Sequence, residues 1–311
     1  MRIAPYALVS SLLLAAPVLA QTVAPSSPPT APSPFKGPIT TTKIGGGLYM
    51  LSAGSNAVVA VGDKQVILVD TLFNDPDKTV AAVRAITPLP VKYVVNSHSH
   101  RDHTAANAAF AGLGAVVIST PKAAERIALS SRNPRGGEEP PIAKAGWPTV
   151  THDKPTTISI PGQSLRFIPV EVSHTDNDAM VFFPKANVLI LGDLHHSHEY
   201  PVWDAQNGCA CGSYEGNLRV YRQALALTNA RTRIVAGHGG LTDKAEVQAY
   251  VVMLETVRDK VKALIAQGLT KEQVIVAKPL AGDRSVQPGG PDNADTFIGT
   301  LYTALTTGKG A

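Results

Sequence analysis

Val91-Lys92-Tyr93-Val94-Val95-Asn96-Ser97-His98-Ser99-His100-Arg101-Asp102-His103 is an apolar run that ends in three histidines and an aspartate. The β-branched stretch Val91–Val95 reads as a buried strand, so the polar cluster starts where that strand delivers the chain to an edge. In an extended segment residues i and i+2 point the same way, and His98 and His100 can therefore reach one ion; in a helix they would point nearly opposite ways. Asp102 and His103 stand where the chain turns into a helix expected over Thr104–Phe110, and from there they can address a second position a few ångströms away. Histidine is 9 of 311 residues, so three fixed positions are all histidine by chance about once in 40,000 windows. Helix capping would need Thr104 or Asp102 alone and leaves three imidazoles unexplained.

Upstream, β-type runs at Gly47–Leu51, Ala57–Val61 and Gln65–Asp70 form a meander, followed by a helix over Asp77–Ile86. Downstream come a strand at Ala115–Ile118 and a helix over Pro121–Leu129, opened by proline at its first turn. Residues 130–150, with Asn133-Pro134-Arg135-Gly136-Gly137 and Pro140-Pro141, read as a long loop of the kind that often carries function. Strands then return at Thr157–Ile160, Ser164–Val170, Met180–Phe183 and Val188–Leu191. They are followed by Tyr214–Leu227 (helix), Arg233–Ala236 (strand), Lys244–Gln267, Lys271–Ala277 and Ala294–Leu305 (helices). Strands followed by helices occur twice with no composition break between, which predicts one α/β domain over 39–311, two sheets back to back with helices outside.

Two ions need more ligands than one loop supplies. His174 in Val172-Ser173-His174-Thr175, Asp193 in Leu191-Gly192-Asp193 and His238 in Ala236-Gly237-His238-Gly239 each lie at or just beyond the carboxyl end of an apolar run. Strand ends present functional groups at a common edge, and the neighbouring glycines allow close backbone approach.

These segments, in this order and preceded by Asp70 at the end of Gln65-Val66-Ile67-Leu68-Val69, resemble the metallo-β-lactamase superfamily over nearly all of 40–311. The resemblance implies an αβ/βα sandwich of two central β-sheets flanked by helices, with two Zn2+ ions at one edge. His98, His100 and His174 would hold one zinc, Asp102, His103 and His238 the other, and Asp193 would bridge both, while Asp70 steadies the histidine loop. Two zinc ions about 3.5–4 Å apart keep hydroxide available near neutral pH and polarise a carbonyl, with Asp102 helping to orient the hydroxide. The implied enzyme is a zinc-dependent hydrolase that cleaves an acyl bond of a small molecule, a β-lactam or related cyclic amide or ester. The best-known zinc β-lactamases carry cysteine where this chain has Asp193; aspartate there looks more like lactonases, esterases and glyoxalase II-like thioesterases. Some relatives of this fold are mononuclear iron persulfide dioxygenases, but the full second set Asp102, His103 and His238 argues against that chemistry, and against an idle binding protein. The pocket wall is expected from 130–150 and His195–Trp203, with His195, His196 and His198 read as a polar rim in preference to further metal ligands or donors to a substrate, and Trp147 and Trp203 as pocket or core.

The first twenty residues differ from the rest. Arg2, the apolar stretch around Ala7–Ala16 and Val18-Leu19-Ala20 before Gln21 fit an export signal over 1–20, too short to span a bilayer. Residues 21–38, QTVAPSSPPTAPSPFKGP, read as an extended tether. The mature protein is thus expected in the periplasm or outside the cell, without stable membrane insertion. With 28 Lys plus Arg against 24 Asp plus Glu and a net charge of +4, and without a basic cluster or appended module, a nucleic-acid partner is not expected. The two cysteines, Cys209 and Cys211, are one residue apart; a bridge there is strained though possible in an oxidising compartment, and two thiolates alone make a poor metal site.

Overall fold

The structure is a computed structural model that describes Met1 and residues 37–73, 75–129, 142–204, 211–282, 292–308 and 310. The export signal and tether expected over 1–38 lie outside the described residues apart from Met1, Gly37 and Pro38, as do residues 130–141 of the expected loop and Cys209.

The first sheet has seven strands in sequence order: β1 (Thr40–Gly45), β2 (Leu48–Ala53), β3 (Ser55–Val61), β4 (Val66–Val69), β5 (Val91–Val95), β6 (Val116–Ser119) and β7 (Val150–Thr151). β1 to β4 pair antiparallel and β4 to β7 parallel. The crossovers carry α1 (Pro76–Ile86), α2 (Arg101–Thr104), α3 (Asn107–Gly112) and α4 (Pro121–Ala128). Proline opens α1 and α4, and the Asp75 and Thr120 side chains cap them, satisfying first-turn N–H groups that the helix leaves without partners.

The second sheet runs β13 (Leu241–Asp243), β12 (Arg233–His238), β11 (Val188–His196), β10 (Ala179–Phe183), β9 (Gln163–Pro169), β8 (Thr156–Ile160), parallel at β11–β12 and antiparallel elsewhere. α5 (Tyr214–Leu227), α6 (Lys244–Ala266), α7 (Lys271–Val276) and α8 (Asp292–Thr307) complete the chain.

Strand alternation sorts the apolar side chains into three layers. Val58, Ala60, Ile67 and Val69 of the first sheet meet Leu165, Phe167, Val181 and Ile190 of the second. Their neighbours Val59, Val66 and Leu68 pack outward on Val80, Val83 and Phe110 of α1 and α3. The far face of the second sheet, including Leu189 and Ile234, packs on α5, α6 and α8 through Leu218, Tyr221, Leu254 and Leu301. This is the αβ/βα sandwich expected from the order of elements. Truncating a buried ring such as Phe167 to alanine would cost about 3–5 kcal/mol.

Three local differences have physical causes. The single helix expected over Thr104–Phe110 is two, α2 and α3. The His103 carbonyl that would continue the helical ladder is taken by Thr71 N at 2.8 Å and Asn96 Nδ2 at 3.1 Å, so Asp102 and His103 stand on a helical turn of their own. β1 escapes the periodicity because its threonines face solvent along a sheet edge. β11 extends to His196 rather than Leu191, and the pairing with β12 is irregular between Gly192 and His196; Asp193 sits in that irregularity. The carboxyl ends of β4, β5, β11 and β12 reach the same edge of the sandwich, and the polar residues gather there.

Candidate metal centre

Donor atoms of His98, His100, His174 and Asp193 lie within 4.8 Å of one another, and so do those of Asp102, His103, Asp193 and His238. Asp193 belongs to both groups. Its Oδ2 stands 3.7 Å from His98 Nε2, 3.5 Å from His174 Nε2 and 3.3 Å from His238 Nε2, while Oδ1 is 2.9 Å from His103 Nε2. His174 Nε2 and His100 Nδ1 are 3.0 Å apart, and His238 Nε2 is 3.1 Å from Asp102 Oδ2. The seven side chains singled out in the sequence therefore come together, and in the two sets drawn there.

Glycine makes this approach possible. A Cβ on Gly237 would land on Asp193 Oδ1, and one on Gly192, which has φ 54°, would meet Ser97 Oγ.

Each of the five histidines in these sets has its other nitrogen fixed, which orients the ring and selects the tautomer. His174 Nδ1 donates to Val202 O at 2.6 Å and His238 Nδ1 to Gly54 O at 2.7 Å; a carbonyl only accepts, so Nε2 is left with its lone pair in the neutral ring. His100 Nε2 faces Asp204 Oδ2 at 3.1 Å and presents Nδ1. His103 Nδ1 faces Asp70 Oδ2 at 3.2 Å. Asp70 also accepts from Ser97 N and Oγ, both at 2.7 Å, and Ser97 Oγ in turn lies 3.0 Å from His98 Nδ1. The hairpin between β2 and β3 supports the second set: Ser55 Oγ donates to Asp102 O, and Asn56 Nδ2 donates to Ala236 O and Gly239 O on either side of His238.

Among the described residues His98 Nε2, His103 Nε2 and Asp193 Oδ1, all buried at the centre, have no hydrogen-bond partner, nor has the neighbouring His196 Nε2. His103 Nε2 and Asp193 Oδ1 approach each other to 2.9 Å. Buried polar atoms without partners are costly, and imidazole nitrogens and carboxylate oxygens converging without a donor between them fit divalent cations that accept N and O ligands. Electrostatics agree. Burial holds His98 well below the ordinary imidazole range despite Asp193 nearby, and lowers His174 too. Burial also opposes charge on His103 and His238, but Asp193 and Asp102 outweigh it: His103 rises well above its usual value and His238 to about 10. Against the effect of burial, those histidines keep Asp193 and Asp102 well below the carboxylate range. The second set thus binds protons that a cation would displace.

The stretch after Asp193 departs from the expected polar rim. His195 turns away from the edge into the helix-side core, with Nδ1 3.1 Å from Tyr221 Oη and its ring edge-on to Tyr250; burial lowers its pKa to about 3. His196 turns toward the donors, 3.7 Å from Asp193 Oδ2. His198 is exposed and 3.7 Å from Glu246. Trp203 is core, packed with Tyr214 and Phe297. Trp147 is part-buried and donates to Ile142 O. Cys211 is disulfide-bonded and its Sγ lies 3.2 Å from Arg126 Nη2. Asp204, Ser97, Ser55 and Asn56 support the site without having been singled out in the sequence.

Comparison with curated protein sequences finds no match. The profile described as the metallo-beta-lactamase superfamily matches residues 53–248, a span that holds all seven donors. Among solved structures, a metallo-beta-lactamase from Pontibacter korlensis superposes with a TM-score of 0.55 at 20% identity, covering 70% of this chain and 99% of that one. The DIM-1 metallo-beta-lactamase gives 0.57 at 17% identity, with 71% and 98% covered. The stereoselective inverting sec-alkylsulfatase Pisa1 from Pseudomonas sp. gives 0.61 at 17% identity over 85% of this chain, which spans half of that protein. At such identities these structures speak for the fold. The profile match extends over more than half the chain and encloses both donor sets, so this protein belongs to the metallo-beta-lactamase superfamily and is a metal-dependent hydrolase.

Proposed function

We propose that the protein is an exported dizinc hydrolase that opens the acyl bond of a small cyclic amide or ester, β-lactams and lactones being the candidate classes. The observation that carries this reading is that Asp193 belongs to both donor sets, so that the seven side chains would serve two cations. A donor set of imidazoles and carboxylates without sulfur suits zinc. When bound, such ions supply Lewis acidity, lowering the pKa of water and polarising a carbonyl. The chain orients the five histidines through Asp70 with Ser97, Asp204, Val202 O and Gly54 O, so little reorganisation is needed when substrate arrives. Asp102, partly exposed like His238 and unlike the five buried donors, is placed to accept a hydrogen bond from the attacking water. In the net reaction water oxygen bonds to the acyl carbon, the bond to nitrogen or oxygen breaks, and the leaving atom takes a proton. A mononuclear iron oxygenase would leave Asp102, His103 and His238 without work.

The test is turnover of nitrocefin, an aliphatic lactone, a thioester and an alkyl sulfate by the zinc-loaded protein, before and after chelation. Chelator-sensitive cleavage of an acyl substrate is expected. Equal turnover by the chelated protein, or cleavage of the sulfate ester alone, would overturn the reading.

A further inference from the structure

His196 is a sixth histidine at the cluster, and its environment differs from that of the other five. It is buried, its ring lies 4.8 Å from that of His238 and 6.1 Å from that of His174, and Nε2 faces Asp193 Oδ2. It therefore overlooks one member of each donor set and the carboxylate they share. Yet it completes neither set. The other five histidines each have a nitrogen tied within 3.2 Å to a carboxylate, hydroxyl or carbonyl. His196 is held more loosely: Nε2 is 3.7 Å from Asp193 Oδ2 and Nδ1 is 3.8 Å from Glu199 Oε2, both longer than the contacts that fix the other rings. Glu199 itself is about half exposed, so this ring lies between solvent and the donors. A structural ligand is held by a second contact that orients it. A buried imidazole held less closely, looking onto the reacting position, is arranged to find its partner when substrate arrives.

We propose that His196 is a substrate-contacting residue, whose Nε2–H donates a hydrogen bond to the oxygen that becomes negative as the acyl carbon turns tetrahedral. The nitrogen faces a carboxylate rather than a donor, which favours hydrogen on Nε2. The irregular pairing of β11 with β12 is what brings the residue there, because regular alternation would put His195 on the face of Asp193 and His196 on the other. The assignment rests on the hydrolase reading for the identity of the oxygen, and on the geometry alone for the contact with a tetrahedral anion.

The experiment uses the full zinc-loaded chain with His196→Phe, which keeps a ring but has no donor, and His196→Gln, which restores an N–H. Zinc content, calorimetric affinity for phenylphosphonate as a tetrahedral anion, and kcat and KM on the acyl panel are measured for each. Unchanged zinc content is expected, with phenylphosphonate binding weakened at least about tenfold in His196→Phe and kcat/KM lowered about 10²-fold, mostly in kcat. Partial recovery of both is expected in His196→Gln. Equal phenylphosphonate affinity in wild type and His196→Phe, no binding to the wild type, or loss of zinc from His196→Phe would overturn the assignment. If the phosphonate affinities split while the wild type cleaves no acyl substrate, the hydrolase reading fails and the anion contact of His196 stands.

Discussion

Asp70 Oδ2 lies 3.2 Å from His103 Nδ1, and the same oxygen accepts from Ser97 Oγ, which meets His98 Nδ1. One buried carboxylate thus orients a histidine of each donor set. Asp70 sits in the left-handed region at φ 59°, at the point where β4 ends and the chain turns beneath the loop that follows β5.

Asp70→Asn is expected to weaken zinc binding about 10–100-fold while leaving the backbone at ease, since asparagine tolerates positive φ. The amide keeps one acceptor oxygen where the carboxylate has two, so either Ser97 N or the pair Ser97 Oγ and His103 Nδ1 is left facing an NH2 donor. Asp70→Ala should add a stability loss of about 1–3 kcal/mol from strain and unpaired polar groups. Competition with a fluorescent zinc chelator and urea unfolding separate the two effects; unaltered zinc affinity in Asp70→Asn would remove Asp70 from any role at the cluster.

Gly237→Ala tests how closely β12 must approach Asp193. The added carbon meets Asp193 Oδ1 and the backbone of Gly192 and Asp193, so the strand pair must part. Loss of the bound zinc and of activity is expected, with a stability cost of about 1–3 kcal/mol. Full metal content in this variant, read by elemental analysis, would contradict the geometry.

Much of the centre was legible because its residues are chemically unusual and stand at strand ends: His98 to His103, His174, Asp193 and His238 mark themselves by type and place. Their supports do not. Asp204 follows Val202-Trp203 with no spacing that links it to His100; the link arises because Asp204 N bonds to His174 O and His174 Nδ1 to Val202 O, folding that loop back onto the site. Ser97 and Asn56 act through single hydrogen bonds across sheets, which periodicity does not report. His195 and His196 exchange the faces that strand alternation would give them, because the ladder slips beside Gly192. Helix boundaries around His103 were missed for a related reason, a carbonyl claimed by a distant donor.

His195 predicts a limb in the acid stability profile. Burial lowers its pKa to about 3 in the fold against about 6.5 unfolded. The unfolded chain therefore binds a proton that the folded chain refuses, and stability, fully present above about pH 6.5, falls as pH drops toward 3. Between pH 7 and pH 5 this one group should remove about 2 kcal/mol. His195→Phe, compared with wild type by urea unfolding at both pH values, should lose less by that amount. A parallel decline in the two proteins would show that the ring is not kept neutral.

Metal uptake should release protons. In the chelated protein His103 and His238 hold protons at neutral pH, because Asp193 and Asp102 raise them, His238 to about 10. A cation needs the neutral ring, so it must displace those protons, and its apparent affinity must rise with pH as the competition weakens. His98 and His174 are kept neutral by burial and give up none. Burial opposes charge on His100 as well, but its hydrogen bond to Asp204 outweighs that and raises it, so the first set should displace at most this one proton, while the second should fill with the steeper slope, approaching tenfold per pH unit for each proton displaced, between about pH 6 and pH 8. Calorimetric titration of zinc into the chelated protein, in buffers of different ionisation enthalpy, counts the protons directly. His238→Ala should lower the count in the weaker step and leave the stronger one as it was. Two pH-independent binding steps would mean that the carboxylates do not charge these histidines, and that Asp193 is not shared between the sets in the way its two oxygens indicate.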